Sequence, residues 1–537
     1  MLSFPSDFEA PGARTVAIAS LSLGAAVLLS FIVNAIYNLF FHPLRSYAGP
    51  LLWRMSSLPW CYHQIKGDRT HIQARLHWKY GDVLRIRPNE LSYTSYQAWD
   101  DIFVHHPNRP EFPKDPRRQR RNPNKLEVFL LLLLHSLGLL SLTFSSLPIH
   151  QHILSAPKAD HSRYRRLLAG AFSERGLRDQ EGLINQHVNL LITRLNPVAA
   201  AHETADFTQW YNMVVFDVIG DLAWGESFDS LRSGKLHEWI PAIAATVKFA
   251  MQSSPLLEYG LGFLIPLLIS RTVREQRAAN YRFSEAKVAQ RLALGGHTRG
   301  DFWDRVMIKS ADGNQAGEGM TRGEMLNNAS ILVLAGSETS ATTLCGMTYF
   351  LLQNPHTYQR LVMEIRAAFA TPEEITMVSI GQLPFLNAVF QETLRLYPPV
   401  PTHSQRVPPK GGAQVCGRWI PENTSVGISM MGACLDPKNF HRALDFCPER
   451  WLDDAPAEFR RDNKTVYQPW SMGTRNCLGR NLALAEIRLI MANVLWHFDL
   501  ELDRRCMGDG NWLDQKIWGI WFKKPLWVSL SPAQAKK

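Results

Sequence analysis

The stretch whose reading decides the fold is Trp470-Ser471-Met472-Gly473-Thr474-Arg475-Asn476-Cys477-Leu478-Gly479-Arg480. It places a cysteine between a glycine-punctuated turn and the start of an apolar-periodic segment that predicts a helix from about Leu478 to His497. Backbone N–H groups at a helix N-terminus favour negative charge, so the Cys477 thiol is expected to lean toward thiolate. Gly473 and Gly479 permit a tight loop and close approach of a flat partner. Arg475 stands two residues before the cysteine, where it can meet a carboxylate. From the residues alone, Cys477 is a nucleophile, an iron ligand or an inert buried thiol.

Working outward, an acid and a base at i, i+3 (Glu392, Arg395) share one face of a helix expected over Pro384–Leu396. Read alone, that pair is an ordinary salt bridge. A longer apolar helix is expected over Leu326–Leu352, ended by Asn354-Pro355. It carries Gly336-Ser337-Glu338-Thr339, where an acid beside a hydroxyl must be used or satisfied. The alternative is a Thr back-bond with a solvent-facing Glu338. Asp160 is positioned to cap a helix running from His161 to Phe172. Val407–Pro421 reads as hairpins and turns, and Trp518–Leu530 as β-like. The fold class is therefore mainly α with minor β, in a single catalytic domain.

Taken together, these segments resemble the cytochrome P450 family of heme-thiolate monooxygenases. Gly473, Arg475, Cys477 and Gly479 match its heme loop, with Trp470 in place of the usual Phe and Thr474 where Pro is common. The resemblance implies heme b as cofactor with Cys477 as axial iron ligand, a thiolate that favours O–O cleavage. Glu392 and Arg395 match ExxR, and Arg450, with Trp451 in place of a final Phe, completes an implied structural lock. Gly336 is implied to make room beside the iron, while Glu338 and Thr339 relay protons to bound O2. His161 and Arg165 resemble the WxxxR helix. With Arg406, they and Arg475 are the implied cofactor-binding residues besides Cys477. The expected reaction inserts one atom of O2 into a lipophilic substrate, with electrons from NADPH through a cytochrome P450 reductase. The Phe41-His42-Pro43-Leu44 exit and Trp512–Leu530 tail resemble fungal microsomal members such as the trichothecene hydroxylases. A hydroxylation or epoxidation of a terpenoid, polyketide or alkaloid is implied. By the same analogy, Leu332–Ala335, Pro399–His403 and Ile517–Ile520 supply pocket walls.

Composition agrees with a large globular chain. Of 537 residues, 46% are apolar and 20% charged, which excludes disorder and a disulfide miniprotein. The formal charge of +10 is spread along the chain without a basic tail. Nucleic acid is therefore not an expected partner, whereas a membrane surface and an acidic reductase are. Seven cysteines, an odd number without a CxxC pair, exclude a disulfide framework and structural zinc.

Thr15–Phe41 holds 27 residues without a charge, enough for a transmembrane anchor. Residues 1–14 are then a short lumenal N-terminus and 42–537 the heme domain. Arg45 and Arg54 after the run place that domain in the cytosol, on a single-pass endoplasmic reticulum protein. A second apolar run, Leu126–Leu147, passes the same hydropathy test, but a span there would split the heme motifs across a membrane. Residues 125–152 are expected instead to be an insertion relative to the family: translated intron or a lipid-dipping loop. The rival functional reading is a non-catalytic membrane-anchored heme-fold protein inactivated by that insertion. The sequons at Asn328, Asn423 and Asn463 contradict a cytosolic domain and are read as chance matches.

Overall fold

A computed structural model describes residues 13–107, 109–118, 151–269, 271–293, 301–304, 306, 319–402, 405–507 and 511–534. Residues 1–12, most of the second apolar run's neighbourhood and the run itself lie outside them.

The helix Arg322–Gln353 is the axis of the fold. Its 32 residues span about 48 Å. A capping box starts it: the Glu324 N–H donates to Thr321 Oγ1 (3.2 Å) while the Thr321 N–H donates to Glu324 Oε2 (2.8 Å). Asn354-Pro355 ends it, as the sequence dictates. Because this helix is apolar on almost every face, it must be surrounded. The equally apolar Phe207–Trp224 packs along it, and Pro384–Leu396 and Arg480–His497 close the remaining sides.

The sheets are small and peripheral. Val83–Arg87 pairs antiparallel with Glu90–Tyr93, which pairs parallel with Ser425–Ile428. Trp527–Pro532 lies antiparallel between Thr204–Asp206 and Phe498–Leu502. Two short hairpins complete them: Ala413–Val415 with Arg418–Ile420, and Lys516–Trp518 with Ile520–Phe522. One continuous apolar core runs from Leu44 to Leu530, and a satellite of Trp53, Trp60, Cys61, Leu84 and Ile86 sits below the N-terminal helix. This is the mostly helical fold with minor sheet that the sequence predicts.

Boundaries differ for three of the expected helices: the long helix starts four residues before Leu326, at Arg322, where its capping box lies. The helix expected from Leu478 starts at Arg480, with Gly479 as its N-cap, because the Gly473–Arg475 3-10 turn and a bend occupy the preceding residues. The helix expected from His161 runs over Lys158–Leu168 behind Pro157, so Asp160 lies in its first turn rather than at its cap.

The N-terminal helix, Ala13–Phe40, stands apart. Its apolar segment Ser20–Phe40 is long enough to cross a bilayer, and only 6% of that stretch is buried against the protein. An apolar helix so uncovered fits membrane anchoring.

Candidate active site: a thiol, a basic rim and a buried lock

The cysteine loop is built by backbone geometry. The Cys477 N–H donates to the Trp470 carbonyl at 2.8 Å, and the Asn476 N–H to that of Gly473 at 3.2 Å. Gly473 has φ +73°, and a Cβ there would stand 1.8 Å from the Phe103 carbonyl oxygen, so no side chain fits. The loop opens Cys477 onto a cavity of about 180 Å³. The opposite wall is the long helix, through Ile331, Leu332, Ala335, Gly336 and Thr339. The other expected wall segments, Pro399–Thr402 and Ile517–Ile520, do not line this space, and His403 lies outside the described residues.

Helix-end polarity does not decide the state of the thiol. Burial pushes the Cys477 thiol up, against the opposing pull of the Gly479 N–H, Arg165 and Arg480. In the loop as it stands, desolvation opposes the thiolate that the Gly479 N–H, Arg165 and Arg480 favour.

Basic side chains converge on the same cavity. Lys114, His161, Arg165 and Arg475 line it, and Arg406 lies behind them, its strand bridged to Lys114. Arg475 meets Glu111 (3.3 Å) and the Ala156 carbonyl (3.1 Å). Arg165 donates to the Asn476 carbonyl at 2.7 Å and also to the Asn476 side chain, so it braces the cysteine loop. Arg406 is 5% exposed, and its Nε and Nη1 have no hydrogen-bond partner among the described residues. Burial, with Arg475 close by, lowers its guanidinium to about 10. Burial and the Arg406 and Arg475 charges lower the Lys114 ammonium to about 7. His161 falls to about 4 through burial and its cationic neighbours, so it faces the cavity as neutral imidazole. A buried guanidinium with orphaned donors, beside an ammonium whose charge burial disfavours, calls for anions. The two carboxylates of a heme fit that demand, as iron fits the thiol.

Behind the loop lies the lock. Glu392, Arg395 and Arg450 have no exposed side-chain surface. Glu392 accepts from Arg395 Nε and Nη2 (both 2.8 Å), Arg450 Nε (3.1 Å), the Cys447 N–H (2.9 Å) and Trp451 Nε1 (2.8 Å). Burial opposes the Glu392 charge, but the two guanidiniums and the backbone N–H together hold its carboxyl below the usual range. Arg395 donates also to the carbonyls of Cys434 (2.8 Å), Ala443 (2.6 Å) and Asp445 (3.0 Å). Trp451, where the family has Phe, thus adds a donor that sequence comparison gives no reason to expect.

On the long helix the acid and the alcohol diverge. Thr339 lines the cavity, its hydroxyl donating to the Ala335 carbonyl at 2.6 Å. Glu338 is buried on another face, where Lys523 Nζ donates to its Oε2 at 2.7 Å. Gly336 lines the cavity as well, and the place its Cβ would take is filled by Ile219 Cδ1, 2.8 Å away.

Sequence reasoning missed Lys114, Lys523 and Glu486. Lys114 sat at the start of a basic run beside the second apolar stretch, and Lys523 in a tail without motif. Glu486 is a lone acid in an apolar helix, and its cost when buried was the available signal. It lines the cavity, accepts from Ser340 Oγ at 3.1 Å, and is pushed up to about 8 by burial. Asn328, read as a chance sequon, is fully buried, and its Oδ1 accepts the Ile153 N–H at 2.9 Å.

This combination of a helical fold, a thiol at a cavity mouth and a basic rim defines a heme-thiolate protein. A sequence model of the Cytochrome P450 family matches residues 140–511, and the chain belongs to that family. It is similar to a versicolorin B desaturase of Emericella nidulans, 47% identical over 511 residues, covering 95% of this chain and 97% of that protein. An averantin hydroxylase of Dothistroma septosporum is 43% identical over 516 residues, covering 95% and 91%. A cytochrome P450 monooxygenase of Penicillium aethiopicum, vrtK, is 43% identical over 510 residues, covering 95% and 90%. The chain is an oxidoreductase of the monooxygenase class with a heme-iron cofactor, using O2, a reductase and a small-molecule substrate, in secondary-metabolite biosynthesis.

Proposed function

We propose that the chain is a membrane-anchored, NADPH-reductase-driven P450 that oxidises a lipophilic secondary metabolite, with Cys477 holding the iron of heme b. The observation that carries this reading is Cys477 opening onto a cavity whose rim holds Lys114, His161, Arg165 and Arg475 and whose far wall holds Thr339. Among the described residues Cys477 is the single thiol on that wall; as iron ligand it leaves none for covalent attachment, which supports heme b.

When bound, the heme supplies the oxygen chemistry: substrate C–H, O2, two electrons and two protons become C–OH and water. The protein's own residues do the rest. Arg406, Arg475 and Lys114 would hold the carboxylates, and His161, as neutral imidazole, would donate a hydrogen bond to them. Arg165 keeps the Asn476–Cys477 turn in place. Thr339 would pass protons to the cavity, turning its hydroxyl from the Ala335 carbonyl to do so, and Glu338, next to it on the helix, would resupply them. The apolar wall of Ile331, Leu332 and Ala335 excludes water and selects an apolar substrate. The Glu392–Arg395–Arg450 lock fixes the ground on which the loop stands.

Endoplasmic reticulum placement with a cytosolic domain follows from the charge-free anchor and the Arg45/Arg54 flank. An exposed apolar collar supports contact with lipid: Leu51, Leu52, Leu58 and Tyr62 near the anchor exit, with Leu257 and Tyr259 beyond. The two parts are tied by Gln64 Nε2 donating to the Met251 carbonyl at 3.2 Å. The heme domain occupies 42–537. Residues 125–152 are read as an insertion relative to the family.

Versicolorin B and averantin, which the relatives' names print, are the first compounds to test. Membranes carrying the chain and a fungal reductase are given each compound, NADPH and ¹⁸O₂. One labelled oxygen in the product supports hydroxylation, and loss of two hydrogens without label supports desaturation. No NADPH-dependent product from either compound refutes this substrate reading.

A further inference from the structure

An acid stands in the basic rim. Glu111 lies three residues before Lys114, and its Oε1 accepts from Arg475 Nε at 3.3 Å. Its Oε2 is 3.5 Å from Nζ of Lys158, the first residue of the Lys158–Leu168 helix. Neither pair is tight, since a charge-assisted N–H···O bond spans about 2.7–2.9 Å. The Glu111 charge also acts further along the rim. It opposes the lowering of both the His161 imidazole and the Arg406 guanidinium. An acid therefore reaches three of the groups read above as carboxylate holders: Arg475 by contact, and His161 and Arg406 through its field. The Arg475 and Glu111 side chains are 9% and 20% exposed, so solvent screens this pair only in part. Of the five Arg475 N–H groups, Glu111 takes one and the Ala156 carbonyl another, at 3.1 Å.

We propose that Glu111 is a counter-anion that competes with the heme carboxylates for Arg475 and so sets how readily the cofactor leaves. This rests on the reading of Arg475 as a carboxylate holder. Anions gathered on one guanidinium share a single positive charge and repel one another, so each weakens the hold on the next. Glu111 acts through Arg475 and is a positioning residue. If it served instead to brace Arg475 for the cofactor, its removal would loosen the heme, so the sign of the effect separates competition from support. The sequence gives the acid no motif, because its partner lies 364 positions away.

The test reads cofactor retention and needs neither substrate nor reductase. Ferric full-length holoprotein in detergent is mixed with excess apomyoglobin, and heme transfer is followed by absorbance. The bond between Cys477 and iron breaks in every variant alike, its electron pair staying on sulfur, so a ratio of rates reports the carboxylate end. Glu111→Gln keeps the shape and an acceptor oxygen but removes the charge. It is expected to slow transfer about tenfold, the order of one like-charge repulsion at a partly screened rim. Glu111→Asp, which keeps the charge, stays near wild type. In an Arg475→Gln background Glu111→Gln slows transfer much less, because the shared cation is gone. A change under about twofold in Glu111→Gln, or faster transfer, overturns the proposal, as does an equal slowing in the Arg475→Gln background. If Glu111→Gln takes up no heme, Glu111→Ala is measured and read the same way. Arg475→Gln alone separates the two ideas: transfer at the wild-type rate there refutes the carboxylate-holder reading itself, whatever Glu111 does. If Arg475→Gln takes up no heme, Arg475→Lys replaces it in both roles.

Discussion

Glu392→Gln tests whether the lock holds by charge or by shape. The side chain is nearly isosteric, so packing is unchanged, but the variant has one acceptor oxygen where Glu392 uses two for five donors. Its amide N–H groups would point at Arg395, Arg450 or Trp451, all of them donors here. Arg450 keeps Asp462 and the His441 carbonyl, and Arg395 keeps three carbonyls but no anion. Breaking a fully buried pair by neutralising one partner costs about 3–5 kcal/mol. Against a total stability of roughly 5–15 kcal/mol, that is a large share. The assay is a urea titration of the full chain in detergent, following the reduced carbon-monoxide band. The midpoint should fall by an amount equivalent to about 4 kcal/mol at neutral pH. The sign with pH is fixed as well. Because the folded carboxyl lies below its ordinary value, its contribution is complete above that value and is lost as pH falls through the folded one. The gap between wild type and variant should therefore close only in acid. A shift equivalent to under about 1 kcal/mol at neutral pH would refute the reasoning, since it is what an exposed pair is worth.

Two further outcomes follow from the same contacts. Trp451→Phe, which restores the family's residue, removes one donor from a charged acceptor and should cost about 1.5 kcal/mol in the same titration. The share of heme affinity that Lys114 supplies, read as the difference between wild type and Lys114→Gln, should be full below pH 7 and fade as pH rises above it. The Lys114 ammonium lies at about 7 in the cofactor-free cavity and must regain its proton to pair with a carboxylate. Heme titrations of the wild-type and Lys114→Gln apoproteins across this range check it, and a difference that does not change with pH would refute it.

Much of the fold and part of the site were legible because they are written in short, local patterns. The cysteine loop, the i, i+3 pair and the Pro- and Asn-bounded helices each need fewer than a dozen consecutive residues, and Pro384–Leu396 appears at its predicted bounds. What escaped depends on distant partners. Nothing in Gly336-Ser337-Glu338-Thr339 tells which way Glu338 turns, because Lys523 decides it. Lys114 becomes a cavity residue only where the chain meets Arg406 and Leu154. At Cys477 helix polarity is local and legible, whereas the desolvation that opposes it is tertiary. Trp451 read as a mild replacement until its indole was seen to reach Glu392.

The central claim is that Cys477 is the thiolate that holds the iron, and one spectrum tests it most directly. The dithionite-reduced, carbon-monoxide-treated full-length chain should show the red-shifted Soret band of a thiolate-bound heme. Cys477→Ala should lose that band, while Cys447→Ala, whose thiol lies away from the cavity, should keep it. A Cys477→Ala protein that retains the band, or a wild-type chain folded with heme that never shows it, would contradict the account.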